Sequence, residues 1–138
     1  MAARLPGAAP PAYAFLRHRS PGLPPSTTVF VTHCHWDHIG GHRYSHDLSP
    51  QVKFYARDNY RQELEIVRRG TRGFRYFFGD EFKDEFVSDF KPDITVGERT
   101  EITVGGTRFA LIPVPGGETV DGLFIHVPEH DTLFVGDF

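Results

Sequence analysis

Cysteine is almost absent: the chain has one, Cys34, in 138 residues. That excludes an internal disulfide framework and agrees with a reducing compartment. No apolar run approaches the ~18–20 residues that span a bilayer. The opening Met1-Ala-Ala-Arg-Leu-Pro-Gly-Ala-Ala-Pro-Pro lacks the sustained apolar stretch of a secretory signal. A cytoplasmic location is therefore the default expectation. An excess of one charge is also lacking: 15 Lys and Arg oppose 18 Asp and Glu, for a net −3. No general attraction to nucleic acid or to an anionic membrane follows. The sequence contains neither G-x-S-x-G nor G-x-x-x-x-G-K-[ST], which disfavours a serine hydrolase and a P-loop NTPase. No repeat of 20–50 residues is visible.

Aromatic residues are plentiful, with 13 Phe and five Tyr, enough for a packed core in one domain. Six of the 11 prolines fall in the first 25 residues, so 1–25 reads as an irregular lead-in and 26–138 as the folded domain. Thr27–Thr32 is β-branched and aromatic and reads as a strand. Gly41–Asp47 reads as the start of a short helix and Gln51–Ala56 as a strand. Asp58–Arg69 has Tyr60, Leu64 and Val67 at helical spacing, with Asp58 as its N-cap and Gly70 as its stop. Phe78, Phe82, Phe86 and Phe90 recur every fourth residue and suggest a second helix with an aromatic, core-facing stripe. Beyond Pro92 come short β-type runs: Asp93–Val96, Thr100–Val104, Arg108–Val114, Leu123–Val127 and Thr132–Val135. Gly105-Gly106 between two of them signals a hairpin.

The densest chemistry lies at Thr32-His-Cys-His-Trp-Asp-His-Ile-Gly-Gly41, which places His33, His35, Asp37 and His38 within six positions. Imidazole suits zinc, iron and copper, and a carboxylate balances their charge. A lone histidine is ordinarily a surface or core residue; four ligand-type residues at the end of a strand point to a metal site. Side chains alternate along extended chain, so Cys34 should face away from His33 and His35 and pack rather than ligate. Gly40-Gly41 should let the backbone turn sharply away.

The run His33-x-His35-x-Asp37-His38, after an apolar strand and before Gly40-Gly41, resembles the metallo-β-lactamase superfamily. Two later features are similar as well. Thr132-Leu-Phe-Val-Gly-Asp137 looks like the family's strand ending in Gly-Asp. Pro115-Gly-Gly-Glu-Thr-Val-Asp-Gly-Leu123 sits where the family has Pro-Gly-His-Thr-x-Gly-Ser-Leu. The resemblance spans 27–138 in order and spacing. It implies an α/β fold, the αββα sandwich, here incomplete, with a mixed sheet and helices on one side. It implies a metal-dependent hydrolase that uses metal-bound hydroxide to cleave a carboxylic, thio-, phospho- or sulfate ester. It also implies up to two zinc ions, with iron and manganese as alternatives. His33, His35 and Glu118 would make one position. Asp37, His38 and Asp137 would make the other, with Asp137 as a bridge and Asp37 also orienting the nucleophile or shuttling a proton. Glu118 replaces the family's third histidine, a replacement known from its alkylsulfatase-like branch.

The family's pattern continues past the Gly-Asp strand to a last histidine ligand, whereas this chain ends at Phe138. The expectation is the N-terminal half of such a domain, and the alternative function is a truncated, catalytically inactive metal-binding fragment. Exposed sheet edges would then favour self-association. The substrate is expected to be a small molecule, anionic or amphiphilic. Arg68, Arg69, Arg72 and Arg75 could meet an anion, although a solvated helix face explains them more simply. His42 and His46 are expected at the surface close behind the ligand loop. His18, His126 and His130 have no ligand partner at diagnostic spacing.

Overall fold

Two β-sheets organise the computed structural model, which describes residues 9–78 and 89–137. Thr28–Phe30 (β1), Lys53–Arg57 (β2) and Ile94–Val96 (β3) form a parallel sheet in the order β1-β2-β3, with Thr28 opposite Lys53 and Tyr55 opposite Ile94. Parallel neighbours need a crossover. Trp36–Ile39 (α2) and His42–Leu48 (α3) lie between β1 and β2, and Tyr60–Phe78 (α4) follows β2. Thr100–Val104 (β4), Thr107–Pro113 (β5), Leu123–Val127 (β6) and Thr132–Phe134 (β7) pair antiparallel in sequence order. The β4–β5 hairpin turns at Gly105 and Gly106, whose φ angles of +59° and +85° are those that glycine adopts without strain.

Alternation along the strands sorts the core into layers. Phe54 and Ala56 of β2 are buried together with Tyr60, Leu64 and Val67 of α4 and Ile39 of α2. Tyr55 of β2 and Phe30 of β1 instead pack with Val96, Leu111, Leu123 and Ile125, and Phe30 meets Phe109 at 5.0 Å between ring centroids. The parallel sheet thus has helices on one face and the antiparallel sheet on the other. Each fully buried Leu or Ile in these clusters contributes roughly 1.5–3 kcal/mol. The expected α/β class, with parallel and antiparallel pairing and helices on one side, is found. The two pairings are divided between two sheets rather than merged in one mixed sheet.

Three local expectations are corrected. The lead-in is not wholly irregular: Ala9–Arg19 forms a helix, α1, and Tyr13 on it meets Tyr44 of α3 edge-on at 5.5 Å. Pro10 and Pro11 fall in its first turn, where backbone N–H groups lack helical partners, so the missing donors cost little. α4 does not stop at Gly70 but continues to Phe78, since an internal glycine costs only about 1 kcal/mol against alanine. It begins at Tyr60, leaving Asp58 outside the capping position, and the Asn59 side chain donates to the Val120 carbonyl at 2.8 Å. Gly40 and Gly41 lie where the chain passes from α2 to α3, with φ of −59° and −90°. Of the aromatic stripe, Phe82 and Phe86 lie outside the described residues, while Phe90 is buried against Phe54 and Tyr60.

Candidate metal centre

The motif occupies the loop between β1 and α2. Cys34 is fully buried among Val31 and Ile39, so the chain's alternation turns His33 and His35 the other way, as the sequence predicts. Burial pushes the Cys34 thiol well above its usual pKa, and the neighbouring Asp121 carboxylate raises it further. Facing the core rather than the two histidines, Cys34 packs where the sequence reading placed it. His35 precedes α2, and Asp37 and His38 lie within that helix.

Two long-range contacts join this loop to the one carrying Glu118. The Cys34 N–H donates to Asp121 Oδ2 at 2.9 Å, and the Leu123 N–H donates to the Thr32 carbonyl at 2.7 Å. The Glu118 loop is closed on itself by Val114 N–H to the Gly122 carbonyl at 3.0 Å. Asp137 arrives from the other side, after β7. Gly136 before it has φ +69°, and a Cβ there would lie 2.8 Å from Thr32 Oγ1. Only glycine lets the β7 end pass so close to the motif.

Five of the six side chains singled out in the sequence therefore meet in donor groups, and the sixth, Asp37, adjoins His38. Among the described residues, two groups of donor atoms each lie within 4.8 Å of one another: His33, His35 and Glu118, and His33, His38 and Asp137. His33 Nε2 stands 3.9 Å from Glu118 Oε2, and His35 Nδ1 stands 3.7 Å from Glu118 Oε1. His38 Nε2 lies 3.0 Å from Asp137 Oδ2. Asp37 belongs to neither group, although its Oδ2 is 3.7 Å from His38 Nε2. His33 borders both groups rather than one: its ring centroid is 4.6 Å from that of His35 and 4.0 Å from that of His38.

These donors fit a metal ion. Ligands ~2.0 Å from a tetrahedral zinc stand about 3.3 Å apart, so the His33–Glu118 and His35–Glu118 pairs are open by only about half an ångström. His33 is 4% exposed, and its Nε2 is buried without a hydrogen-bond partner. Such an orphan ordinarily costs about 1–3 kcal/mol. A metal ion would satisfy it. Burial lowers the His33 pKa from 6.5 to about 4, with the His38 and His35 rings adding to the effect and Asp137 opposing it. At neutral pH the ring is uncharged and a lone pair is available, as ligation requires.

Two buried carboxylates at this site were not anticipated. Glu63 on α4 places Oε1 3.3 Å from His35 Nε2, and its side chain is 5% exposed. Asp121, 1% exposed, holds the Cys34 amide. Glu63 had a legible signal, an acidic residue on the Tyr60–Leu64–Val67 stripe. His42 is also buried, contrary to its expected surface position: Nδ1 meets the Ile39 carbonyl at 2.9 Å and Nε2 lies 3.2 Å from Asp89. Burial lowers its pKa. His46 rests against the Phe54 ring at 5.0 Å. Arg68 and Arg69 pair with Glu65 on an exposed face, at 3.2 and 3.1 Å, which matches the solvated-face reading; the side chains of Arg72 and Arg75 lie outside the described ones.

A layered α/β scaffold that gathers His and carboxylate donors from three separate segments defines a candidate metal-binding centre. Residues 6–138 match the family model of the metallo-beta-lactamase superfamily, and the chain belongs to that superfamily of metallohydrolases. Solved structures with this fold include the B3 metallo-beta-lactamase BLEG-1, 19% identical, TM-score 0.68, covering 94% of this chain and 56% of that one. The stereoselective inverting sec-alkylsulfatase Pisa1 from Pseudomonas sp. is 18% identical, TM-score 0.66, with 91% of this chain and 24% of that one covered. A flavo di-iron protein from Thermotoga maritima is 18% identical, TM-score 0.61, with 99% and 28% covered. The chain thus spans between about a quarter and just over half of these structures' lengths. Comparison with curated proteins by sequence gives no match.

Proposed function

We propose that this chain carries the metal-binding half of a hydrolase that cleaves an ester-type bond in a small molecule. The observation that carries the reading is the pair of donor groups meeting at His33, with its orphaned Nε2. In this reading His33, His35 and Glu118 hold one ion, and His38, Asp137 and Asp37 hold a second. Zinc is the assignment; iron and manganese suit the same donor types. When bound, the metal supplies Lewis acidity toward a carbonyl, phosphoryl or sulfuryl oxygen and lowers the pKa of water toward ~7.

The residues of the chain do the rest. Neutral His33 offers its lone pair without first losing a proton. Asp37 has two carboxylate oxygens, so one can stay with His38 while the other orients the nucleophile or takes its proton. Glu118 in place of a histidine adds negative charge to the first position, and it motivates sulfate esters as the first substrates to test. An apolar wall formed by Val29, Val31, Leu133 and Val135 shares a groove with His38, which suits an amphiphilic substrate. β1 and β7 are end strands of their sheets, and Phe134 on β7 is 55% exposed. In this reading these edges are where self-association occurs.

A second reading, metal binding without turnover, draws on the exposure of the second group, where the Asp137 side chain is 53% exposed. The test is metal content, together with turnover of sulfate-ester, phosphodiester and carboxylic-ester substrates, for the purified chain and for His35→Ala. Bound zinc with turnover abolished by His35→Ala supports the hydrolase. Bound zinc without turnover supports the second reading, and a chain that takes up no metal contradicts both.

A further inference from the structure

We propose that Glu63 is a positioning residue for the first donor group: its buried carboxylate keeps the proton of His35 on Nε2, so that Nδ1 presents the lone pair toward Glu118. This rests on the metal-binding reading above and deepens it.

Glu63 stands out by its place on α4. The helix buries Tyr60, Leu64 and Val67 against the parallel sheet, and Glu63 lies on the same face with its side chain 5% exposed. An ionised carboxylate at an apolar helix face is costly unless a partner repays its lost hydration. His35 Nε2, 3.3 Å from Oε1, is that partner. The other ring nitrogen, Nδ1, lies 3.7 Å from Glu118 Oε1. Both nitrogens thus face a carboxylate, and one must carry the proton in the neutral ring. Two differences decide between them. Glu63 is closer, and it is buried, where a charge acts through a lower effective dielectric; Glu118 is 46% exposed and screened by water. The proton belongs on Nε2. A carboxylate behind a ligand histidine also makes the ring a stronger donor and fixes its orientation. The sequence hides this arrangement because Glu63 is 28 residues from His35 and on a different element.

The test uses the full chain with zinc alone as the probe. In unaltered protein, nitrogen NMR of the His35 ring at a pH where it is neutral should find the proton on Nε2. Zinc affinity, measured by competition with a chromophoric chelator, should fall ~10–100-fold in Glu63→Leu, the range for losing such an outer partner. Glu63→Gln keeps an oxygen acceptor and should retain affinity closer to the unaltered chain. Thermal stability separates this from a merely structural role: leucine on an apolar face should leave the melting temperature unchanged or raise it while affinity drops. A proton found on Nδ1, or equal zinc affinity in all three chains, overturns the proposal. No zinc uptake by the unaltered chain contradicts the metal reading instead, and the tautomer of His35 in that same chain still decides the role of Glu63.

Discussion

His35 and His38 are three residues apart, yet their surroundings differ. His35 is backed by Glu63, a carboxylate sealed beneath α4, and its loop is pinned through Asp121 to the loop of Glu118. His38 is backed by Asp137, whose side chain is more than half exposed and which follows the close backbone passage at Gly136. Both groups meet solvent through a carboxylate, Glu118 at 46% and Asp137 at 53% exposed, but the first also has the buried Glu63 behind its histidine and a loop pinned by Asp121. Preorganisation reduces the ordering cost of binding, so the first group should hold its ion more tightly. His33 stands between the two and belongs to both donor groups, so its loss reaches the second position as well as the first.

The strongest way to break this comparison is His33→Ala. Removing the shared donor should weaken both positions by more than the ~100-fold upper range for an outer partner, and equilibrium dialysis with zinc would show it. Loss at one position alone would contradict the sharing.

Acid is the next largest effect. The folded state lowers the His33 pKa from 6.5 to about 4. Between those values the unfolded chain binds more protons, so stability rises with pH through that window and is lost as pH falls from about 6.5 toward 4. Urea unfolding of metal-free protein should lose on the order of 3 kcal/mol across it. His33→Ala should flatten the slope.

Asp121→Ala leaves the buried Cys34 amide without its acceptor and should cost about 1–3 kcal/mol by the same urea measurement. It should lower zinc affinity at the first position more than at the second, since Asp121 ties the motif to the Glu118 loop. Gly136→Ala should cost about 1–2 kcal/mol for giving a left-handed residue a Cβ, plus the displacement of Thr32 that this Cβ would force, and its effect on zinc should fall on the second position because it displaces Asp137. A uniform loss at both positions in these two variants would erase the distinction between the groups.

What could be read from the sequence follows a physical divide. Local periodicity was legible: β4 and β6 run over Thr100–Val104 and Leu123–Val127, as alternation predicts, and Gly105-Gly106 makes the expected hairpin. The ligand run was legible because four donors are adjacent in sequence. Glu118 and Asp137 were reached only through the family resemblance, because their approach depends on contacts such as Leu123 to Thr32 that no local pattern encodes. Asp121 was missed for the same reason, as a buried carboxylate whose partner lies on another element; the place of Glu63 on the apolar stripe of α4 was legible, but its partner His35 was not. The α1 helix was missed because prolines were read as breakers without regard to their first-turn position.

The most direct measurement is a zinc titration of the unaltered chain with a competing chelator, read together with the NMR signals of the His35 and His38 rings. The prediction is a first equivalent that binds tightly and moves the His35 signals, then a weaker second that moves those of His38. Equal affinity for both equivalents, or His38 responding before His35, would contradict the account.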